Sequence, residues 1–358
     1  MLAIVSSTQA RFLIYLISER CLLKFYREKP RRKFEDLVSG VQNTGHLLIS
    51  QGFKSMRLNL AHDAINVWER NTHRKCSHRN FMKAPQLLLG TSILTDQKFV
   101  HSSPDFMHIH NNLDHIVKYH KISVVIGLGI NGSKNSGLVF ENLPFAQKSF
   151  LAYLLKEQTL IGCRGLETLE FLSINGFPRS NLFLSGCPSS QLVRRTPKDI
   201  PPEFSRISVN GALVNRLDLL SSMTTPDTKI LVIPQTLESL SNVERFSATD
   251  KRIEIFLPNS LSNWEAKLEK WNPELSLGTR LHGNMLAMAL EIPTIFMSGD
   301  IRTREISQLT GLPFADDLVE IGSALEIFKE ASKLDVLGNN RYLRSQIIEN
   351  LDSSGLVI

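Results

Sequence analysis

Arg280 and His282 stand two residues apart in the segment Leu277–Gly283. A predicted strand ends at Gly278 and a predicted helix begins near Gly283, so both side chains occupy a turn facing the helix's positive end. Histidine is the side chain best able to carry a proton near neutral pH, and arginine offers a planar fork to carboxylate or phosphate. A lone histidine is more often structural. Here, however, the glycine permits close backbone approach, and the pattern favours acid–base chemistry on an anion.

Arg164 occupies a similar junction in the first half of the chain. It follows the predicted strand Thr159–Gly162 and precedes the predicted helix Leu166–Asn175. The unpaired N–H groups of the helix and the guanidinium would together attract an anion. An exposed arginine paired with Glu167 explains the pattern equally well.

A glycine-rich segment, Gly127–Gly132, matches GxGxxG directly after a predicted strand that ends at Ile126. A dinucleotide site would need a helix starting at the third glycine and an acidic residue about 20 positions later, and neither is present. A nicotinamide enzyme is therefore disfavoured. We expect a loop in which Gly127 and Gly129 let a ligand approach the backbone.

Asp300 closes another predicted strand, and Arg302 and Arg304 follow at a helix start. One interpretation is a capped helix with charges on its surface. The other is a second contact to phosphate or sugar at the same edge of the sheet.

Predicted strands alternate with helices from about residue 87 onward, which favours an α/β fold with parallel sheets covered on both faces. The remaining strands are predicted at Ser123–Ile126, Asn181–Leu184, Arg206–Val209, Lys229–Ile233, Ile253–Phe256, Leu275–Leu277 and Thr294–Met297. Pro201 and Pro202 interrupt the alternation and indicate a linker between two doubly wound domains. The expected division is an arm at 1–35, domains at 36–200 and 201–322, and C-terminal helices at 323–358.

Composition excludes several classes of protein. The 358 residues are 42% hydrophobic and 21% charged, with a net charge of +6, which is ordinary for a globular chain. The basic clusters near residues 24–33 and 70–79 are best interpreted as solvated faces. Nucleic-acid binding is disfavoured, because the sequence shows no pattern of aromatic residues on which bases could stack. The scattered cysteines Cys21, Cys76, Cys163 and Cys187 predict no disulfide framework. The histidines near Cys76 and those at His108, His110, His115 and His120 predict no metal site.

The longest uninterrupted apolar run in the first 25 residues is Phe12–Ile17, which is too short to span a membrane. The segment lacks the features of a signal peptide, so we expect an amphipathic helix and a cytoplasmic protein. Weak association with the inner face of the membrane stays open.

Several of these motifs together resemble the polysaccharide pyruvyl transferase family. Its T-R-x-H-G turn is matched by Thr279–Gly283, its D-x-R-x-x-E segment by Asp300–Glu305, and its G-x-P by Gly311–Pro313. Looser matches are Arg164–Thr168, the G-C-P turn at Gly186–Pro188 and the early N-x-G turn at Asn43–Gly45.

The resemblance implies two Rossmann-like domains facing across a cleft, similar to GT-B glycosyltransferases. It implies transfer of an enolpyruvyl unit from phosphoenolpyruvate to a sugar of a cell-surface or exopolysaccharide precursor, forming a pyruvate ketal. The acceptor would be a sugar or a lipid-linked oligosaccharide, with no further cofactor. His282, Arg280 and Arg164 would be catalytic. The implied substrate-binding set is Asn43, Gly45, Gly127, Gly129, Thr168, Gly283, Asn284, Asp300, Arg302 and Arg304.

Two other functions fit the same features. A GT-B glycosyltransferase would bind a nucleotide sugar in the same basic cleft. A non-catalytic relative would bind a glycan and would tolerate His282→Ala.

Overall fold

The predicted alternation of strands and helices is confirmed, and all described strands pair in parallel. The structure is a computed structural model. It describes residues 44–56, 58, 65–66, 85–89, 93–96, 104–131, 138–195, 199, 201, 203–211, 224–234, 247, 250–258, 260–297, 300–315, 321–332 and 335–356. The predicted N-terminal arm and Asn43 lie outside these residues.

Thirteen strands are described, and their longest members are runs of buried β-branched and aliphatic residues. In chain order they are β1 Ile65–Asn66, β2 Pro85–Leu89, β3 Leu94–Thr95, β4 Lys121–Leu128, β5 Ile130–Asn131, β6 Leu160–Cys163, β7 Leu182–Leu184, β8 Arg206–Asn210, β9 Lys229–Ile233, β10 Ile253–Ile255, β11 Leu275–Gly278, β12 Thr294–Met297 and β13 Phe314–Ala315. Burial on both faces explains why these segments are apolar throughout instead of alternating.

The strands form one sheet on each side of the predicted linker. The first has the order β1-β2-β4-β6-β7, with β3 and β5 paired separately, and the second has the order β10-β9-β8-β11-β12-β13. In the second sheet the order reverses between β8 and β11, as in a doubly wound Rossmann fold. Ligands of such sheets bind outside the carboxyl ends of the strands at this reversal. The protein is therefore α/β with two parallel-sheet domains, as predicted. The second domain has the Rossmann strand order, whereas the described strands of the first follow one another in chain order without a reversal.

Nine α-helices connect or cover the strands. They are α1 Thr44–Lys54, α2 Pro104–Tyr119, α3 Phe145–Lys156, α4 Leu166–Ile174, α5 Leu261–Trp271, α6 Leu281–Ala289, α7 Ile301–Thr310, α8 Ile321–Ser332 and α9 Val336–Ser353 among the described residues. A 3₁₀ turn spans Pro188–Leu192. Helix α6 begins at Leu281 and not near Gly283, so the predicted helix start was wrong by two residues. Leu281 is 7% exposed, and its burial extends the helix toward the strand.

The two domains share one apolar core. Leu281 and Met285 of α6 belong to the same buried cluster as Ile49 of α1, Ile126 of β4 and Ile347 of α9. A shared core of this kind holds the two sheets in a defined relative position, because separating them would expose this apolar surface to water.

The C-terminal segment contains the two helices expected there, and both pack against the sheets. Helix α8 packs against β12 and β13 of the second sheet, whereas α9 packs both against α7 of the second domain and against β4 and β7 of the first sheet. Helix α8 begins at Ile321, ahead of the boundary predicted at 323.

Candidate active site

The Arg280–His282 segment lies at the point where the second sheet reverses its order. Arg280 is the N-cap of α6 and has an extended backbone, and His282 is the second residue of the helix. The sequence placed both in a turn, so this part of the prediction needs correction for His282. Helix geometry now fixes the direction of its imidazole more firmly than a loop would.

Two buried asparagines hold this segment. Asn210, at the end of β8, donates from Nδ2 to Oδ1 of Asn284 at 2.6 Å, and Asn284 Nδ2 donates to the Gly278 carbonyl at 2.7 Å. The Arg280 N–H donates to Asn210 Oδ1 at 3.3 Å. Asn284 is fully buried and its amide bonds within the protein, so it positions the turn. Its predicted contact with substrate remains a prediction.

Gly278 is required by the same contact. A Cβ atom built at this residue would lie 2.2 Å from Asn210 Oδ1, a distance that forbids any side chain. Gly283 is buried inside α6. Its predicted role in substrate approach remains a prediction.

Asp300 caps α7 beside the same sheet edge. Its Oδ1 accepts from the Thr303 N–H at 3.1 Å, and its Oδ2 accepts from Nε of Arg302 at 2.9 Å. Burial alone would raise the pKa of Asp300, but the Arg302 guanidinium, the Thr303 N–H and the charge of Arg280 hold it below its ordinary value. An ionised Asp300 therefore stands beside two guanidinium groups and orients Arg302. The expected helix cap is confirmed, and the contact of this segment with phosphate or sugar remains a prediction.

Arg164 and His282 both contact the side chain of Cys187. Arg164 is 1% exposed, and its Nη2 donates to Cys187 Sγ at 3.2 Å. Nε2 of His282 lies 3.8 Å from the same sulfur, and Ser189 Oγ lies 3.0 Å from it. The two predicted catalytic residues of different domains are therefore within reach of one small molecule, and the interpretation of Arg164 as an exposed partner of Glu167 was wrong.

A cross-domain contact fixes the helix that follows Arg164. Glu305 of α7 accepts from the Thr168 N–H at 2.6 Å and from the Thr168 hydroxyl at 3.0 Å, which caps the N-terminus of α4. Beside it, Arg304 Nη2 donates to Glu167 Oε1 at 2.7 Å. Arg304 and Thr168, both predicted substrate contacts, thus join the domains in this structure.

Glu305 presses directly against the Arg164 junction. A Cβ atom on Gly165 would lie 2.5 Å from the Cβ of Glu305, so only glycine fits between them. Burial raises the pKa of Glu305 to about 7, with the Glu167 charge adding to it and the Thr168 bonds and the Arg164 charge opposing it. The carboxyl therefore titrates near neutral pH at the boundary between the domains.

The glycine-rich segment starts inside a strand. Strand β4 continues through Gly127, which has a φ of 77° and lies at a register irregularity, so the predicted strand end at Ile126 was too early. The Gly127 N–H donates to Ser185 Oγ at 3.0 Å, and the Gly129 carbonyl accepts from the Leu94 N–H at 3.3 Å. Their predicted contact with substrate remains a prediction. Gly45 lies in the first turn of α1.

Sequence reasoning missed three residues of this site: Cys187, Glu305 and Asn210. Cys187 and Glu305 lie inside motifs that had been noticed, the G-C-P turn and the D-x-R-x-x-E segment, and this was the available signal. Asn210 ends a predicted strand but carries no local pattern, and only the pairing of β8 with β11 brings it to Gly278.

Among the described residues, no group of three or more His, Cys, Asp or Glu side chains is arranged to hold a metal ion. In the same part of the chain, every helix is too short or too polar to cross a bilayer.

Comparison with known proteins places this site in a family. The solved structures with similar folds include UDP-N-acetylglucosamine 2-epimerases. The putative enzyme from Listeria monocytogenes has 11% identity and a TM-score of 0.44, covering 75% of this chain and 74% of that one. The enzyme from Rickettsia bellii has 11% identity and a TM-score of 0.44, covering 75% of this chain and 73% of that one. The enzyme from Neisseria meningitidis has 9% identity and a TM-score of 0.43, covering 69% of this chain and 82% of that one. At these values the likeness carries no information about activity.

No curated protein sequence matches the chain. The family model for polysaccharide pyruvyl transferase matches residues 66–301, more than half of the chain, and this span includes Arg164, Cys187 and His282. The chain therefore belongs to the polysaccharide pyruvyl transferase family.

Proposed function

We propose that this protein transfers an enolpyruvyl group from phosphoenolpyruvate to a sugar, forming a pyruvate ketal and releasing phosphate. The observation that carries the proposal is the meeting of Arg164 and His282 at Cys187 Sγ, at 3.2 and 3.8 Å. A group that binds anions and a group that moves protons are thereby brought to one place, as this donor requires.

The donor has two anionic ends, a phosphate and a carboxylate. Arg164 would hold one of them from the first domain, and Arg280 and Arg302 would hold the other from the second. Arginine forks bind both kinds of anion in a bidentate manner, and they have added strength where water is excluded. Asp300 keeps the Arg302 guanidinium oriented through its Nε bond.

His282 would supply the proton that starts the reaction. Its transfer to the methylene carbon of the donor leaves a cationic centre at the neighbouring carbon, which a sugar hydroxyl attacks. Loss of the phosphate and attack by a second hydroxyl complete the ketal. Two hydroxyl protons are released: one restores His282 and the other leaves with phosphate.

This reaction needs no redox partner, because the enol carbon of the donor already has the oxidation level of a ketal. We therefore propose that no further cofactor takes part. We propose as acceptor a sugar of a cell-surface or exopolysaccharide precursor, free or lipid-linked, met in the cytoplasm or at the inner face of the membrane.

The test is phosphate release from phosphoenolpyruvate with and without sugar acceptors bearing neighbouring free hydroxyls. We expect release that depends on the acceptor, is retained after chelator treatment, and yields a product heavier by one pyruvate ketal in mass spectrometry. His282→Ala should abolish it, whereas Arg195→Ala, which changes an exposed pair with Glu291, should not. If the protein turns over a nucleotide sugar and does not turn over phosphoenolpyruvate, the proposal is overturned.

A further inference from the structure

A groove of about 440 Å³ lies outside the site described above. It is bounded by the end of α1, by the 3₁₀ turn with the residues after it, and by the first half of α9. Gln191, four residues beyond Cys187, lines it, so the groove and the Cys187 site lie at opposite ends of the same 3₁₀ turn. Three of its nine lining residues are arginines and none is acidic: Arg194, Arg341 and Arg344.

We propose that this groove is a second binding site, for a ligand that carries a phosphate or diphosphate group.

Two of the guanidinium groups are already held in place. Nη2 of Arg194 donates to the Ser55 carbonyl at 3.0 Å, and Nη2 of Arg344 donates to the Met56 carbonyl at 2.8 Å. These carbonyls follow the last residue of α1, Lys54, close to the negative end of the helix dipole. Each guanidinium has five N–H donors and uses one on a described partner, so most of its capacity stays available to a ligand at a reduced entropic cost.

The walls of the groove are tied to each other. Gln191 Nε2 donates to the Asn340 carbonyl at 3.2 Å, and Asn340 Nδ2 donates to the Ser190 carbonyl at 3.2 Å. Asn340 is 4% exposed, so these bonds are shielded from water. The groove therefore keeps its width, unlike a crevice between mobile surface side chains.

Charge and size both indicate the class of ligand. Capping of α1 explains why Arg194 and Arg344 are here, but it does not account for Arg341. That residue lies 3.9 Å from Asp335 in an exposed pair, which contributes little and leaves the groove cationic. Phosphate accepts paired bonds from arginine, and 440 Å³ is within the range of small-ligand sites. Met56, Val193 and Leu337 provide an apolar surface for the rest of the ligand.

The first experiment measures binding of inorganic pyrophosphate to the full chain by calorimetry, with phosphoenolpyruvate saturating so that the Cys187 site is filled. We expect binding that weakens with added salt and falls at least tenfold in Arg341→Glu. Arg341 is exposed and lies beside the equally exposed Asp335, so this change should leave the fold intact. Arg195→Ala, at a neighbouring exposed arginine outside the groove, is the matched control and should bind normally.

Arg164→Lys distinguishes this groove from the Cys187 site. Pyrophosphate binding that survives in Arg341→Glu, or that is lost only in Arg164→Lys, would overturn the proposal. So would the absence of binding. Filling the Cys187 site with phosphoenolpyruvate rests on the proposed function, but Arg164→Lys reports separately whether that site takes part. Failure of this proposal can therefore be told apart from failure of the proposed reaction.

A second experiment identifies the source of the phosphate. Sedimentation with vesicles of phosphatidylglycerol, but not with vesicles of phosphatidylcholine, is expected if the ligand is a lipid headgroup, and it should depend on Arg341. Pyrophosphate binding without vesicle binding supports a soluble phosphoester. Vesicle binding that is unchanged in Arg341→Glu and unaccompanied by pyrophosphate binding contradicts the proposal.

Discussion

Arg164 and His282 come from different domains and contact the same sulfur atom, Cys187 Sγ, at 3.2 and 3.8 Å. Arg164 follows β6 of the first sheet, and His282 lies in α6 of the second domain. The space that a substrate would fill is therefore set by how the two domains pack. Cys187 contacts one predicted catalytic residue from each domain.

His282 is expected to carry the proton in the proposed reaction. His282→Gln should lower kcat by about 10²- to 10⁴-fold while changing KM for phosphoenolpyruvate much less, because it removes acid–base catalysis and leaves the arginines in place. Steady-state kinetics measure both constants, and circular dichroism checks the fold. A kcat within threefold of the unsubstituted protein would assign the imidazole a structural role.

Cys187 is expected to act through its size and not through thiol chemistry. Cys187→Ser should keep kcat within about tenfold, whereas Cys187→Val adds bulk to a fully buried position, and such overpacking typically costs about 1–3 kcal/mol. The added bulk should displace Arg164 or His282, and this displacement should lower kcat. Kinetics of the two variants decide the matter, since a loss of several orders of magnitude in the serine variant would mean that the thiol itself takes part.

Asn210 and Asn284 should behave as one unit. Each single change to alanine leaves a buried amide partly unpaired, which costs about 1–3 kcal/mol of unfolding free energy. The double variant should lose less than the sum of the two, because the second change removes a group that has already lost its partner. Urea denaturation of the four proteins measures this coupling. Strict additivity would show that the pair does not jointly hold the Arg280 turn.

Glu305 should make stability depend on pH. Its pKa is about 7 in the folded protein against an ordinary value of 4.5, so between these values the folded state retains a proton that the unfolded state has released. The unfolding free energy should therefore fall as pH rises from about 4.5 to 7, and then level off. At about 1.36 kcal/mol per pKa unit the whole fall is roughly 3 kcal/mol.

The measurement is urea denaturation at pH 5 and pH 8. Glu305→Gln keeps the shape of the side chain but cannot ionise, so its stability should fall less between these two values than that of the unsubstituted protein. Glu349→Gln, at an exposed position on α9, is the control and should follow the unsubstituted protein. Equal pH dependence in all three would exclude Glu305 as the titrating group.

Local patterns in the sequence determined much of the fold. Runs such as Lys229–Ile233 and Thr294–Met297 are strands at the predicted residues, because a strand buried on both faces must be apolar throughout. The motifs at Arg164 and Arg280–His282 were predicted to lie at strand ends, which follows from short-range order alone.

The tertiary structure decided how these strand ends meet. Asn210 reaches Gly278 only because β8 pairs with β11, and Glu305 reaches Thr168 only because α7 packs against the first domain. Likewise, Cys187 contacts both Arg164 and His282 only because residues of the two domains pack in one apolar cluster. The contact of Cys187 with His282 joins residues 95 positions apart, and that of Thr168 with Glu305 joins residues 137 positions apart. At such separations no local pattern constrains distance. The sequence by itself therefore determined the kinds of residue at the site, and packing determined which of them touch.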